Sequence, residues 1–172
     1  MAMTEACRQV GVVLRRRSIE NPWIDHVWSP AMILDEVPAT APWTVLSSES
    51  DATIYYAGAA SIDLFSSDTA NYRDNLADGE PRIWVALRRP DGGSELELTK
   101  VTADPTEGEA MFESGCEVIG TVPMPAAIAA WIAAFVDEFH IERVFHKRKR
   151  DRTSEDRKRE AGEAPAGRKG GA

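Results

Sequence analysis

The densest group of chemistry-bearing side chains lies between residues 21 and 28, which read Asn-Pro-Trp-Ile-Asp-His-Val-Trp. Asp25 and His26 are residue types that share protons in general acid–base catalysis. Adjacent side chains on an extended segment point to opposite faces, however, so structural roles are favoured over a catalytic pair. We expect Trp23 and Trp28 to bury large areas and Asp25 to accept hydrogen bonds from backbone amides at a turn. Asn21, Trp23, Asp25, His26 and Trp28 are also the candidate binding residues.

The remaining reactive side chains do not form a recognisable constellation. Cys7 and Cys116 are separated by 109 positions without a CxxC spacing, and His26, His140 and His146 are scattered, so no metal site is predicted. The sequence leaves the reactivity of the two thiols open. It contains no glycine-rich phosphate loop and no G-x-S-x-G nucleophile motif, so no catalytic residue is assigned.

Charge divides the chain into two parts. Residues 1–145 hold 23 acidic and 10 basic side chains, a balance of −13, whereas residues 146–172 hold 5 acidic and 10 basic, a balance of +5. An acidic domain repels phosphates, so nucleic acid is an unlikely partner unless the basic segment contacts it. The cationic run within that segment is a candidate contact for an acidic partner protein: Lys147, Arg148, Lys149 and Arg150.

The domain organisation follows from composition. The longest apolar stretch, Val122–Val136, has 15 residues and two prolines, too few to cross a bilayer. Because the N-terminus also lacks the charged start of a signal peptide, we expect a cytoplasmic protein without membrane insertion. We predict a flexible N-terminus over residues 1–8, a single domain over 9–145, and a mostly disordered basic tail over 146–172.

Hydrophobic periodicity predicts how this domain is built. Alternating apolar residues between turn signals indicate short strands, of which Arg82–Arg88 and Glu95–Val101 form the clearest hairpin. Further strands are predicted at Val10–Leu14, Val27–Val37, Trp43–Leu46, Thr53–Ala57 and Ala60–Phe65.

Three helices are predicted to complete the fold. Thr69–Leu76 reads as a short helix, and Asp104-Pro105 marks the start of a second one. Ile128, Ile132 and Phe135 belong to the apolar stripe of a longer C-terminal helix. These patterns predict an α+β fold, with a mostly antiparallel sheet, two short helices and one long C-terminal helix packed on the sheet.

Several of these motifs, taken as a set, resemble one uncharacterised proteobacterial family of unknown function, often labelled molybdopterin-guanine dinucleotide biosynthesis protein A. The resemblance runs from about residue 10 to residue 150. It is carried by Val10–Arg17, Asn21–Trp23 with Asp25 and Trp28, Ala41–Trp43, Tyr72–Leu76, Pro81–Val85, Val122–Pro125 and Phe145–Arg150. The family resemblance implies an association with molybdenum-dependent formate dehydrogenase and its maturation factors.

Three hypotheses follow, two from the resemblance and one from the charge of the tail. The first is a non-catalytic accessory or maturation protein that binds formate dehydrogenase subunits, or other maturation factors, through residues 21–28 and the basic tail. The second is the role in the family label, a nucleotidyltransferase or a binding protein for molybdopterin-guanine dinucleotide. Its candidate pyrophosphate contacts are Arg15, Arg16, Arg17, Arg82, Arg88 and Arg89. The third is a nucleic-acid-binding regulator that uses the tail.

Overall fold

A computed structural model describes residues 5–91 and 93–141. The chain over these residues is a mixed α+β fold with two antiparallel sheets and three α-helices. No helix among them is long and apolar enough to cross a membrane. The predicted basic tail, with Lys147, Arg148, Lys149 and Arg150, lies outside the described residues.

The first sheet has four strands in the order β2-β1-β4-β3, and every neighbouring pair is antiparallel. The central strands β1 and β4 each have 14 residues, which gives the sheet its long axis. The strands are β1 (Glu5–Ser18), β2 (His26–Leu34), β3 (Thr44–Ser48) and β4 (Ala52–Phe65).

Two predictions about this sheet are wrong. The predicted flexible N-terminus includes residues 5–8, but these residues are part of β1, because Glu5 and Arg8 pair with Phe65 and Ile62 of β4. The two strands predicted on either side of Gly58 are one strand, β4. Gly58 has a φ of +123°, a conformation open to glycine, and the register shifts there, so the glycine forms a bulge and the strand continues.

The second sheet has three antiparallel strands in the order β6-β5-β7. The predicted hairpin is confirmed as β5 (Arg82–Arg88) and β6 (Glu97–Thr102). β7 (Val118–Pro123) was not predicted, and the expected single sheet is two sheets. They meet where β7 contacts β2: a Cβ added at Gly120 would lie 2.9 Å from Cδ of Pro30, so only glycine leaves room for this approach.

The three helices are α1 (Thr69–Ala77), α2 (Pro105–Met111) and α3 (Ala126–Phe139). A 3₁₀ turn over Ser66–Asp68 precedes α1, and the Asp68 side chain at the N-cap position forms no capping hydrogen bond. The predicted cap of α2 is confirmed, since the Asp104 carboxylate accepts hydrogen bonds from the amides of Thr106 and Glu107.

The core is formed by the two sheets and α3 together. Residues that alternate along β1 and β5 point into it, as the pleat of a strand requires. The apolar stripe of α3 supplies the third side, which fixes both sheets relative to this helix. Fully buried members of the core include Val10, Val12, Leu14, Ile62, Leu64, Ile83, Val85, Leu87, Ile128 and Ile132.

Candidate functional site

Four aromatic rings and one guanidinium form a cluster on the first sheet, with Trp28 at its centre. The ring centroid of Trp28 lies 5.2 Å from that of Tyr55, 5.8 Å from that of Trp43 and 6.0 Å from that of His26. Such spacings are favourable for edge and tilted aromatic contacts. We call Arg16, His26, Trp28, Trp43 and Tyr55 the aromatic face.

Strand register brings these side chains together. Arg16 of β1 pairs with Trp28 of β2, and His26 lies two residues before Trp28 and therefore on the same face of β2. On the other side of β1, Tyr55 pairs with Leu14, whose side chain lies on the same face as that of Arg16. The face thus combines the β1–β2 hairpin with β4, a strand that comes later in the sequence.

Arg16 is held by aromatic rings rather than by a carboxylate. Its Cζ lies 5.7 Å from the centroid of Trp28 and 5.3 Å from that of Tyr55. No acidic side chain in the described part of the chain forms an ion pair with Arg15, Arg16 or Arg17. The guanidinium of Arg16 is therefore positioned by the rings while its donor groups remain available to a ligand.

Trp43 reaches the aromatic face at a conformational cost. Its φ is +67°, in the left-handed region that bulky residues rarely adopt, which costs about 1–3 kcal/mol. The Trp43 amide donates to the carbonyl oxygen of Tyr56 at 2.5 Å, and the Thr44 hydroxyl donates to the carbonyl oxygen of Ala41 at 2.7 Å. These bonds and the contact with Trp28 hold the strained residue in place.

The loop between β1 and β2 holds the other residues predicted from the 21–28 cluster. Trp23 is 90% exposed, which contradicts its predicted burial, because the loop projects beyond the sheet. The side chain of Asn21, not that of Asp25, satisfies the turn: its Oδ1 accepts from the Trp23 amide at 2.8 Å. Asp25 contributes its carbonyl oxygen, which accepts from the Ile19 amide at 3.1 Å.

The structure separates the arginines proposed as pyrophosphate contacts. Arg15 and Arg17 lie on the face of β1 opposite Arg16, since side chains alternate along a strand. Arg82 and Arg88 are the two ends of β5, about 20 Å apart at the usual rise per residue. The six arginines therefore do not form one clamp.

Two of these arginines, one at the start of β5 and one just after its end, have protein partners. The Arg82 side chain donates to Thr121 Oγ1 at 3.3 Å. Arg89 forms a bidentate pair with Glu117 at 3.1 Å, and the hydrogen bonds from this carboxylate raise the pKa of Arg89. A ligand would have to compete with Glu117 for the Arg89 guanidinium.

A second surface feature is a cleft of about 410 Å³ between β4 and β6. In its lining, the Ser61 hydroxyl donates to Asp63 at 2.5 Å, and Lys100 forms an ion pair with Glu107. Cys7 Sγ lies 2.9 Å from Ser61 Oγ, within hydrogen-bond distance. The described residues contain no group of three potential metal ligands.

Trp43 and Tyr55 belong to the aromatic face but were not among the predicted site residues. Both stand in strands that the sequence predicts, and Trp43 also lies in the Ala41–Trp43 motif of the resemblance. What the sequence does not carry is the strand order β2-β1-β4-β3, which brings β2 and β4 to either side of β1.

The fold and this surface together define an α+β protein whose most distinctive exposed feature is a cluster of arginine and aromatic side chains. The chain belongs to the family described as protein of unknown function DUF3305, whose family model matches residues 9–149. No curated protein and no solved structure matches the chain. The expectation of an uncharacterised family is confirmed, whereas its molybdopterin label and its link to formate dehydrogenase stay predictions.

Proposed function

We propose that this protein is an accessory factor that binds a partner protein through its aromatic face and the adjoining β1–β2 loop. The carrying observation is that the Arg16 guanidinium contacts the rings of both Trp28 and Tyr55 and has no carboxylate partner in the described residues. Tryptophan, tyrosine and arginine dominate the binding energy of protein interfaces. Trp23, 90% exposed, adds a large apolar side chain to the same hairpin.

The partner we propose is a subunit of a molybdenum-dependent formate dehydrogenase or one of its maturation factors, acting with this protein in the cytoplasm. Support for this choice comes from the sequence resemblance alone. The role is non-catalytic: the accessory factor binds the apoenzyme or its cofactor-loaded form. The basic residues Lys147–Arg150 are a second proposed contact with the partner.

Affinity purification of the tagged full-length chain from cells grown with molybdate and formate tests this proposal. We expect formate dehydrogenase subunits to be recovered with the wild type and at least about tenfold less with the double variant Arg16→Glu, Trp23→Ser. Phe112→Ser is the matched control, because Phe112 is 63% exposed but lies outside the aromatic face. Equal recovery with all three proteins, together with unchanged enzyme activity in a deletion strain, would contradict the proposal.

Binding of molybdopterin-guanine dinucleotide is the second candidate function. Arg15 and Arg17 on one face of β1 support it, because neither forms an ion pair among the described residues and a guanidinium suits a pyrophosphate. Calorimetric titration with GTP and with the dinucleotide cofactor tests it. Saturable heat that disappears in Arg15→Ala, Arg17→Ala favours cofactor handling, and no heat from either ligand removes this candidate.

A further inference from the structure

Strand β3 is an edge strand that the described residues leave open. It pairs with β4 on one side only, and all five of its residues, Thr44–Ser48, are exposed. The other outer strands are covered differently, since β2 contacts β7 and β6 contacts β4. The free side of β3 therefore presents backbone amides and carbonyls to a second chain, except at Thr44, whose amide donates to the Ala41 carbonyl oxygen at 3.4 Å.

The side chains of β3 do not protect this edge. Natural edge strands are commonly blocked by charged residues, proline or a bulge; β3 has no charged residue and no proline, and its one irregularity is a register shift between Val45 and Ser47. Val45 is 51% exposed and Leu46 is 49% exposed, so the strand also offers apolar surface. In contrast, the edge strand β6 carries the charged residues Glu97 and Lys100.

We propose that β3 binds an extended segment of the partner protein by β-strand addition, a mode of recognition that rests on the proposed function above. Backbone hydrogen bonds to the free edge give affinity, and alternate side chains of the added strand give specificity. Binding of this segment extends the first sheet from four strands to five.

The surroundings of β3 define the chemistry of this segment. Val45 pairs with Tyr55 and lies beside the aromatic face, so alternate residues of the added strand meet an apolar surface there. Glu49 and Asp51, in the turn after β3, are exposed and form no ion pair in the part of the chain described. The segment that fits has apolar residues at alternate positions and a lysine or arginine at the end beside this turn.

The size of the edge favours a partner segment over a second copy of this chain. A stable protein–protein interface uses about 20–30 residues on each side, whereas β3 supplies five. An added peptide strand needs only a short edge, because every second residue of the strand forms backbone hydrogen bonds to that edge. The acidic balance of −13 over residues 1–145 also disfavours self-association and favours a basic segment.

Fluorescence anisotropy with the full-length chain tests the proposal with a defined probe. The probe is a labelled seven-residue peptide that alternates valine and threonine and carries a lysine at each end. We expect saturable binding, together with slower amide exchange over residues 44–48. The variant Val45→Lys should weaken binding by about fivefold or more, whereas Phe112→Lys should leave it unchanged.

Chemical variants of the peptide test the proposal without any substitution in the protein, so a folding defect cannot affect the result. Methylating either the valine amides or the threonine amides blocks one edge of the peptide. The peptide that is methylated on the edge facing β3 should bind at least about tenfold more weakly than the parent peptide. The other methylated peptide should bind like the parent. Replacing both lysines with glutamates should weaken binding by about fivefold.

Three outcomes would overturn strand addition at β3. They are no binding of the probe, equal binding of both methylated peptides, and a wild-type dimer in light scattering that Val45→Lys dissociates. If the probe fails while recovery of formate dehydrogenase still depends on Arg16 and Trp23, strand addition is wrong and the proposed function stands. If that recovery does not depend on them while the probe binds, the proposed function fails and β3 remains a peptide site.

Discussion

The two sheets use a half-buried tryptophan in different ways. In the second sheet, Trp84 packs against the backbone of α2, where a Cβ added at Gly108 would lie 2.2–2.4 Å from the indole ring. In the first sheet, Trp28 packs against other side chains, those of Arg16, Trp43 and Tyr55. A ring packed on backbone has little room to shift, whereas a ring held by side chains can adapt.

This difference separates residues that maintain the fold from residues that can bind a ligand. Around Trp84 the neighbouring positions are determined by packing, and their substitution should reduce the free energy of unfolding. Around Trp28 the guanidinium and the rings are partly exposed, and Trp43 is held in a strained conformation. Strained, accessible aromatic residues are typical of binding sites.

The largest expected loss of stability is for Gly108→Ala. The new methyl group would overlap the ring of Trp84, so α2 or the indole must move, at a cost of about 3 kcal/mol. Urea denaturation of the two proteins measures the difference. Glu109→Ala, at an exposed position of the same helix, is the control. A Gly108→Ala protein as stable as this control would show that the close contact is not a constraint.

Asn75→Ala should cost slightly less, about 2–3 kcal/mol, because it removes three hydrogen bonds that join α1 to the second sheet. The Asn75 amide group donates to the carbonyl oxygens of Arg82 at 2.8 Å and Ala103 at 2.9 Å. Its carbonyl oxygen accepts from the Arg82 amide at 3.0 Å. Thermal unfolding checks this, with Asn71→Ala as the comparison.

Asn71 is only partly buried and makes one such bond, to Asp104 at 3.0 Å. Its replacement should therefore cost about 1 kcal/mol. Equal midpoints for the two variants would contradict the role assigned to the Asn75 network.

Alkaline unfolding should report on Tyr72, which anchors α1. Burial raises the pKa of Tyr72 to about 12, and its hydroxyl oxygen accepts from the Phe65 amide at 3.0 Å. Because the folded-state pKa lies above the unfolded value of about 10, the contribution to stability is complete below pH 10 and is lost as the pH rises towards 12.

The loss should reach about 2 kcal/mol near pH 12. Tyr72→Phe cannot ionise, so the stability difference between the two proteins should change over that pH range. Denaturant titrations at pH 8, 10 and 11.5 measure it. If the stability difference between the two proteins does not change with pH, the pKa of Tyr72 is the same in the folded and unfolded chains.

The sequence predicts local features of this molecule better than contacts between distant strands. Asp104-Pro105 specifies the start of α2 within four residues, so the cap was predictable. Gly58 was misread because a glycine marks both turns and bulges, and only the pairing of β4 with β1 distinguishes them. β7 was missed because Gly120 interrupts its alternation, and the reason for that glycine is Pro30, 90 positions earlier.

The candidate site divides in the same way. His26 and Trp28 could be named from the sequence because they lie in one short cluster, residues 21–28, whereas Arg16 could be named only as a candidate pyrophosphate contact. Trp43 and Tyr55 could not, because their contact with Trp28 depends on the order of the strands in the first sheet. A search for aromatic residues in every predicted strand would have found both residues without showing that they meet.

The smallest expected effect on stability is for Arg16→Ala. Two cation–π contacts are lost, which should reduce the free energy of unfolding by about 1 kcal/mol. Arg17→Ala is a matched control, because Arg17 is the next residue of β1 and has no aromatic or acidic partner in the described chain. Its effect should stay below about 0.5 kcal/mol.

Denaturation in low and in high salt sharpens this comparison. An attraction between a guanidinium and partly buried rings is screened less than one between exposed charges, so the difference between Arg16→Ala and Arg17→Ala should persist at 1 M salt. If the difference vanishes in high salt, Arg16 acts through the acidic field of the whole domain. The rings would then not be what positions its guanidinium for a partner.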